Sequence, residues 1–181
     1  MKLFKLEGYN LTISEEAFLL KPFRNIWKRD KSKNKERALQ ELGYIYMMED
    51  SRSDYQIYID KEERGRQVKL GEGIPDDWKP DKLVTEAQEF YAGFKSEAAL
   101  LLEDIRVAIT KLREFIKTID LSATDDKGKP IYTLNTYTST IKQIPELITS
   151  LDEAERTIAK EAVGQDKVRG SVDKAMFEDD L

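Results

Sequence analysis

Eight basic side chains crowd between Lys21 and Arg37 (Lys21, Arg24, Lys28, Arg29, Lys31, Lys33, Lys35 and Arg37), against only two acids, Asp30 and Glu36. Interleaved with Phe23 and Trp27, they have the chemistry of a surface that tracks a phosphate backbone and stacks on bases. Yet Phe23, Ile26 and Trp27 recur at helical spacing, which puts the rings on a core face rather than on a stacking platform. Three readings stay open: a solvated basic surface, a contact for an acidic protein surface, or a nucleic-acid contact. From Glu146 to the end the balance reverses, with ten acids against five bases, so the net charge of −5 hides a polarity. In a cyclic homo-oligomer each interface joins two different patches, and these two are complementary. Such assembly weakens as salt rises. The candidate contacts are therefore Lys21, Arg24, Lys28, Arg29, Lys31, Lys33 and Lys35 near one end. In the tail they are Met176, Phe177, Glu178, Asp179 and Asp180, where two apolar residues sit among acids and suit a segment that orders on a partner.

Catalytic chemistry has few residues to draw on. The chain contains no Cys and no His, which removes disulfides, thiolate nucleophiles, imidazole bases and nearly all structural zinc chemistry. Gly71-x-Gly73 lacks the third glycine of a dinucleotide loop. Gly128-Lys129 is followed by Pro130 where a phosphate loop needs Ser or Thr, and reads as a turn. The acid pairs Glu62-Glu63 and Asp76-Asp77 do not face a common point, so neither argues for a metal or for glycoside chemistry. The expectation is a protein that is not an enzyme and takes no cofactor.

The elements that must carry these residues are mostly helices. Val84, Ala87, Tyr91, Phe94, Ala98, Leu101, Ile105, Ala108, Leu112, Phe115 and Ile119 alternate in steps of three and four, the a/d pattern of a helix burying one stripe. Asp81 is its expected N-cap and Asp120 its end. As a single helix this stretch spans roughly 58 Å, against a diameter near 40 Å for a compact globule of this length. A break at Gly93 is the alternative; the unbroken phase favours continuity. Leu102, Ile109 and Ile116 widen the stripe, so more than one neighbour is expected over its second half. A second series, Leu134, Tyr137, Ile141, Ile144, Ile148, Leu151 and Ile158, follows the turn formers between Asp120 and Tyr132, with Ala154 standing in for the misplaced Glu155. Pro145 is expected to split it into a helix ending at Gln143 and another from Pro145 to Ala162.

Upstream, Lys2–Leu6 and Leu11–Ile13 read as short extended pieces around a turn at Gly8 and Asn10. Ser14 is placed to cap a short helix to Leu20, and Pro22 to open the next. A stronger helix starts at Asp30 or Ser32 and runs to Met48. Tyr55, Ile57 and Ile59 alternate as a strand or extended linker, and Asp60 caps a helix to Leu70. The loop Gly71–Pro80 is the expected hinge. The fold class that follows is mainly α: an elongated helical bundle on a long antiparallel helical hairpin, with a small N-terminal helical subdomain carrying short extended segments. The expected divisions are 1–73, 74–163 and a partner-binding tail 164–181. No apolar run is long enough to span a membrane, and Lys5 and Glu7 argue against a signal peptide at residues 1–10.

The run Trp27-Lys28-Arg29-Asp30-Lys31-Ser32-Lys33, followed by Ala38-Leu39-Gln40-Glu41-Leu42-Gly43-Tyr44-Ile45-Tyr46, resembles a segment of virion structural proteins of crAss-like and related tailed bacteriophages. Gly128-Lys129-Pro130-Ile131-Tyr132, Ile144-Pro145-Glu146-Leu147, Arg169-Gly170 and Phe177-Glu178 are similar in character. The resemblance implies a particle component, a portal-vertex or head-to-tail connector subunit that assembles as a ring-type homo-oligomer with portal or tail proteins, in a virion put together in the host cytoplasm. It assigns no functional residue. The alternative from the residues alone is a nucleic-acid-binding or DNA-packaging-associated protein using segment 21–37.

Overall fold

A computed structural model describes residues 3–7 and 10–170, with side chains at 3–4 and 11–161. The expected turn residue Gly8 and the tail residues Met176–Asp180 lie outside the described residues. The protein is mainly helical: a two-stranded ribbon, β1 (Phe4–Glu7) and β2 (Asn10–Ile13), precedes α1 (Lys21–Arg29), α2 (Glu36–Glu49), α3 (Lys61–Gly71), α4 (Lys82–Ala92), α5 (Glu97–Thr118) and α6 (Leu134–Gly170). Two compact units result, one built on Met1–Ser96 and the other on Glu97–Lys167. The division thus falls after α4, not at the Gly71–Pro80 loop, because α4 packs on α1 and α2.

The first unit is organised around Phe4. The strands pair antiparallel, Phe4 opposite Ile13, and this register drives the Phe4 ring inward until nothing of it is exposed. There it meets the edges of Phe23 at 5.6 Å and Tyr91 at 5.0 Å, and Tyr46 at 6.0 Å, joining the ribbon to α1, α2 and α4. Each aromatic contact of this kind is worth about 0.5–1.5 kcal/mol beyond burial. Phe23, Ile26, Ala38, Leu42, Ile45, Val68, Val84 and Ala87 complete the core.

Capping explains where the helices start. Asp60 accepts the Glu63 amide at 2.8 Å, as the sequence predicts. Asp81 accepts those of Leu83 and Val84 at 3.0 and 3.1 Å. Ser14 precedes a short 3-10 turn, Glu15–Leu19, and makes no side-chain cap. Tyr55–Ile59 does not form a strand: Asp54–Ile57 is a 3-10 turn, because the Ser53 hydroxyl accepts the Tyr55 amide and starts a helical turn. α2 begins at Glu36 rather than at Asp30 or Ser32. Asp30 nevertheless supplies its cap, accepting the Ala38 amide at 3.0 Å across a loop that ends on Lys35 at φ 55°. At the far end of α2 the orphan carbonyls are met by side chains. Ser53 Oγ donates to Met47 O at 2.8 Å, and Gln56 Nε2 and Arg64 Nη1 donate to Met48 O at 3.0 and 2.9 Å.

Gly71 and Gly73 have structural duties in place of a nucleotide loop. A Cβ on Gly71 would lie 2.0 Å from the Tyr55 hydroxyl, and Gly73, at φ 65°, takes the left-handed turn that ends α3.

The stretch expected as one helix from Asp81 to Asp120 is two, α4 and α5, separated at Gly93–Ser96. The second unit holds a smaller core of Ala99, Leu102, Ile105, Ala154 and Ile158, with Ala98, Ile109 and Leu151 packed against it. Here Leu102 and Ile109, two of the residues that widened the stripe, face inward, while Leu101 is 54 % exposed. Ala154 replaces Glu155 in the core as expected, and Glu155 turns out to accept from Arg106 at 3.1 Å. Between α5 and α6 the Asp125 carboxylate accepts the Lys127 and Lys129 amides, and Gly128 turns at φ 74°, so this Gly-Lys is a turn. Two expectations for α6 fail. Pro145 lies inside a continuous helix instead of starting a new one, and the backbone stays helical past Gly164 to Gly170. Pro145 lies in an exposed stretch of α6, with Ile141 exposed as well; on a solvent-facing side, water can satisfy a carbonyl that a proline deprives of its helical partner.

Candidate functional site

The basic segment separates into two groups. Lys21, Arg24 and Lys28 lie along the exposed side of α1, and Lys31 and Lys33 are exposed in the following loop. Spacings of three and four residues put the first three on one helical face. Opposite them Phe23 and Ile26 are fully buried, and Trp27 packs on Phe18 at 4.6 Å. The rings therefore belong to the core.

The other bases are committed internally. Arg29 donates to Glu41 at 2.5 Å and to Asp81, bridging α1 to α2 and α4. Burial works against its charge, but the hydrogen bonds to Glu41 and Asp81 outweigh it and raise its pKa. Arg37 donates to Glu41 at 2.8 Å. Lys35 donates to the carbonyls of Trp27, at 3.3 Å, and Asp30, with its ammonium 5.7 Å from the Trp27 ring centre. It thereby satisfies orphan carbonyls at the end of α1. Five of the seven predicted basic contacts, Lys21, Arg24, Lys28, Lys31 and Lys33, thus face outward; Arg29 and Lys35 hold the fold. Asp30, beneath this loop, is drawn down to about 2 by hydrogen bonds from the Ala38 and Ser32 amides and by the Ser32 side chain.

A polar knot that the sequence reading missed lies at the end of α2. Buried Glu49 accepts from Gln88 at 2.7 Å and pairs with Lys95 at 3.2 Å. Asp50 accepts from the Tyr91 hydroxyl at 2.5 Å and pairs with Arg52 at 2.6 Å. Burial pushes the Asp50 carboxyl up, but the Arg52 hydrogen bond and charge, with Tyr91, bring it below the usual range. Burial and the neighbouring Asp50 raise Tyr91, and raise Tyr46 to about 12. Carboxylates at a helix C-terminus oppose the dipole, so these cationic and hydroxyl partners are what allow α2 to end there. No local signal announces the knot: its members on α4 lie 39 and 41 positions away in sequence.

In the second unit the a/d series of α6 is covered on one side only. Ala154 and Ile158 are buried, whereas Leu134, Ile141 and Ile148, at seven-residue spacing, are 68, 40 and 48 % exposed. Residues 134–151 carry just two charges, Lys142 and Glu146, in a chain that is 36 % charged. An uncharged, heptad-spaced apolar line has the composition of an interface centre rather than of a solvated face.

No family model, no curated protein and no solved structure matches this chain. Among the described residues, no group of three His, Cys, Asp or Glu is placed to hold a metal ion. No helix among them is long and apolar enough to cross a membrane.

Proposed function

We propose that this chain is a structural subunit of a phage particle, most specifically a portal-vertex or head-to-tail connector component that assembles as a ring-type homo-oligomer in contact with portal or tail proteins. The observation that carries the reading is the uncovered line Leu134, Ile141 and Ile148 on α6. Exposed apolar residues in register along a helix favour burial against another protein surface. The sequence resemblance to virion proteins of crAss-like and related phages gives that surface its setting. The outward-facing bases Lys21, Arg24, Lys28, Lys31 and Lys33 supply one side of a head-to-tail contact whose other side is acidic. Light scattering coupled to size exclusion tests assembly: oligomers at low salt that shrink at high salt support it, and a monomer at both overturns it. Mass spectrometry that finds the chain in purified particles tests the setting.

The second reading, a nucleic-acid-binding or DNA-packaging-associated protein, is favoured by the same five exposed bases. A gel shift at physiological salt separates the two: retarded DNA supports the second. The burial of Phe23 leaves that reading with phosphate contacts and without its stacking ring.

A further inference from the structure

The uncovered stretch of α6 is self-complementary about its own middle. Ile141 and Ile148 lie on the exposed apolar line, and their midpoint falls between Ile144 and Pro145. Lys142 and Glu146, the two charges of residues 134–151, have theirs at Ile144. The two midpoints differ by half a residue, about 0.75 Å along a helix. Counted from Ile141, Lys142 stands about 100° and Glu146 about 140° round the helix, so both flank the line on the same side. Both are exposed, and neither forms an ion pair with another described residue.

Two copies laid antiparallel about a two-fold axis bring like flank to like flank. With the axis at Ile144–Pro145, Ile141 of each copy meets the partner's Ile148, and Lys142 meets the partner's Glu146. Other arrangements lack this match. An axis at Ile141 aligns all three exposed apolar residues but sets Lys142 beside the partner's Lys142. A parallel pair joins opposite flanks and leaves both charges facing uncharged side chains. Nearby hydroxyls do not oppose burial: Thr140, Thr149 and Ser150 donate to the carbonyls of Thr136, Pro145 and Glu146 at 2.9, 2.9 and 3.0 Å. Their protons are used inside the helix and need no water. We propose that two copies of this chain pair through α6 in this antiparallel, two-fold register. The proposal rests on the reading that α6 joins copies and specifies the contact it makes. Such an isologous contact closes as a pair, leaving the basic face of α1 for the head-to-tail contact.

Sedimentation equilibrium of the full chain at one fixed salt concentration tests the register. Lys142→Glu and Glu146→Lys should each raise the dimer dissociation constant roughly tenfold, because each turns two attractive pairs into two repulsive ones. The double variant restores both pairs with their signs exchanged and should return to within about twofold of the parent. The absence of cysteine lets introduced thiols report the geometry. Pro145→Cys, exposed and beside the axis, should cross-link to its mate with a short bismaleimide. Leu134→Cys should not, because its mate lies about 21 residues further along, or about 32 Å. Association without rescue in the double variant, or with any other cross-linking pattern, overturns this register and leaves α6 as a contact between copies. A parent that stays monomeric overturns both.

Discussion

Asp30 and Tyr91 show how much single side chains decide here. Asp30 caps α2 from beyond its own loop, and its amide partners lower its pKa from 3.8 to about 2. The unfolded chain then binds the proton more readily than the folded one, so Asp30 contributes stability that is present above pH 4 and is lost as pH falls toward 2. Asp50 and Asp81, also lowered, act in the same direction. In urea titrations at pH 4 and pH 2.5, Asp30→Asn should show a smaller loss of stability on acidification than the parent. Tyr91 donates into a buried carboxylate, so Tyr91→Phe removes a charge-assisted bond and should cost about 2 kcal/mol of unfolding free energy. Asp60 and Asp81 could be named as caps from sequence, because an N-cap is a local event within four residues. Asp30 was recognisable as a helix-starting residue, but not as a cap working eight residues ahead, since only the loop through Lys35 brings it there.

Helix ends and interruptions are the matter at the scale of elements. Arg64, buried, donates to Met48 O and to Tyr58 O at 2.9 Å each. Arg64→Ala should therefore destabilise the first unit by about 2–3 kcal/mol, read by thermal or denaturant unfolding. Pro145 has the opposite sign. It sits inside α6 at a cost of about 3 kcal/mol relative to Ala, so Pro145→Ala should strengthen the helix by up to about that amount, seen as raised amide-exchange protection over residues 141–149. Sequence reasoning stopped a helix at Pro145 and carried one through Gly93, and the structure reverses both. The propensity arguments were sound in magnitude. What decided each case was the environment: an exposed stretch of α6 around Ile141 and Pro145, and a Lys95–Glu49 pair that binds the Gly93–Ser96 linker to α2.

For the whole molecule, the open question is what covers α6. If Leu134, Ile141 and Ile148 form the seam between copies, Ile141→Glu with Ile148→Glu should raise the dissociation constant by at least about tenfold, because each substitution puts a charge into an apolar contact. Sedimentation velocity across a concentration series reads this directly. Circular dichroism of the variant should match the parent, since both side chains are already in contact with water. Reversing Lys21, Arg24 and Lys28 to Glu tests the charged contact separately. That change should remove the salt dependence of assembly while leaving unfolding free energy within about 0.5 kcal/mol, as expected for exposed positions.

Most helices, the N-terminal ribbon, the caps at Asp60 and Asp81, and the burial of Phe23 and Ile26 were determined by the sequence alone, because periodicity and capping depend on neighbours within a turn or two. The tertiary structure decided which bases are spent on the fold, that Phe4 is the hub of the first core, and that Glu49 and Asp50 are buried among partners on α4. It also decided which side of the long apolar stripe faces inward. These outcomes depend on groups tens of positions apart, and a side chain's burial or charge there is set by what packs against it rather than by its own type.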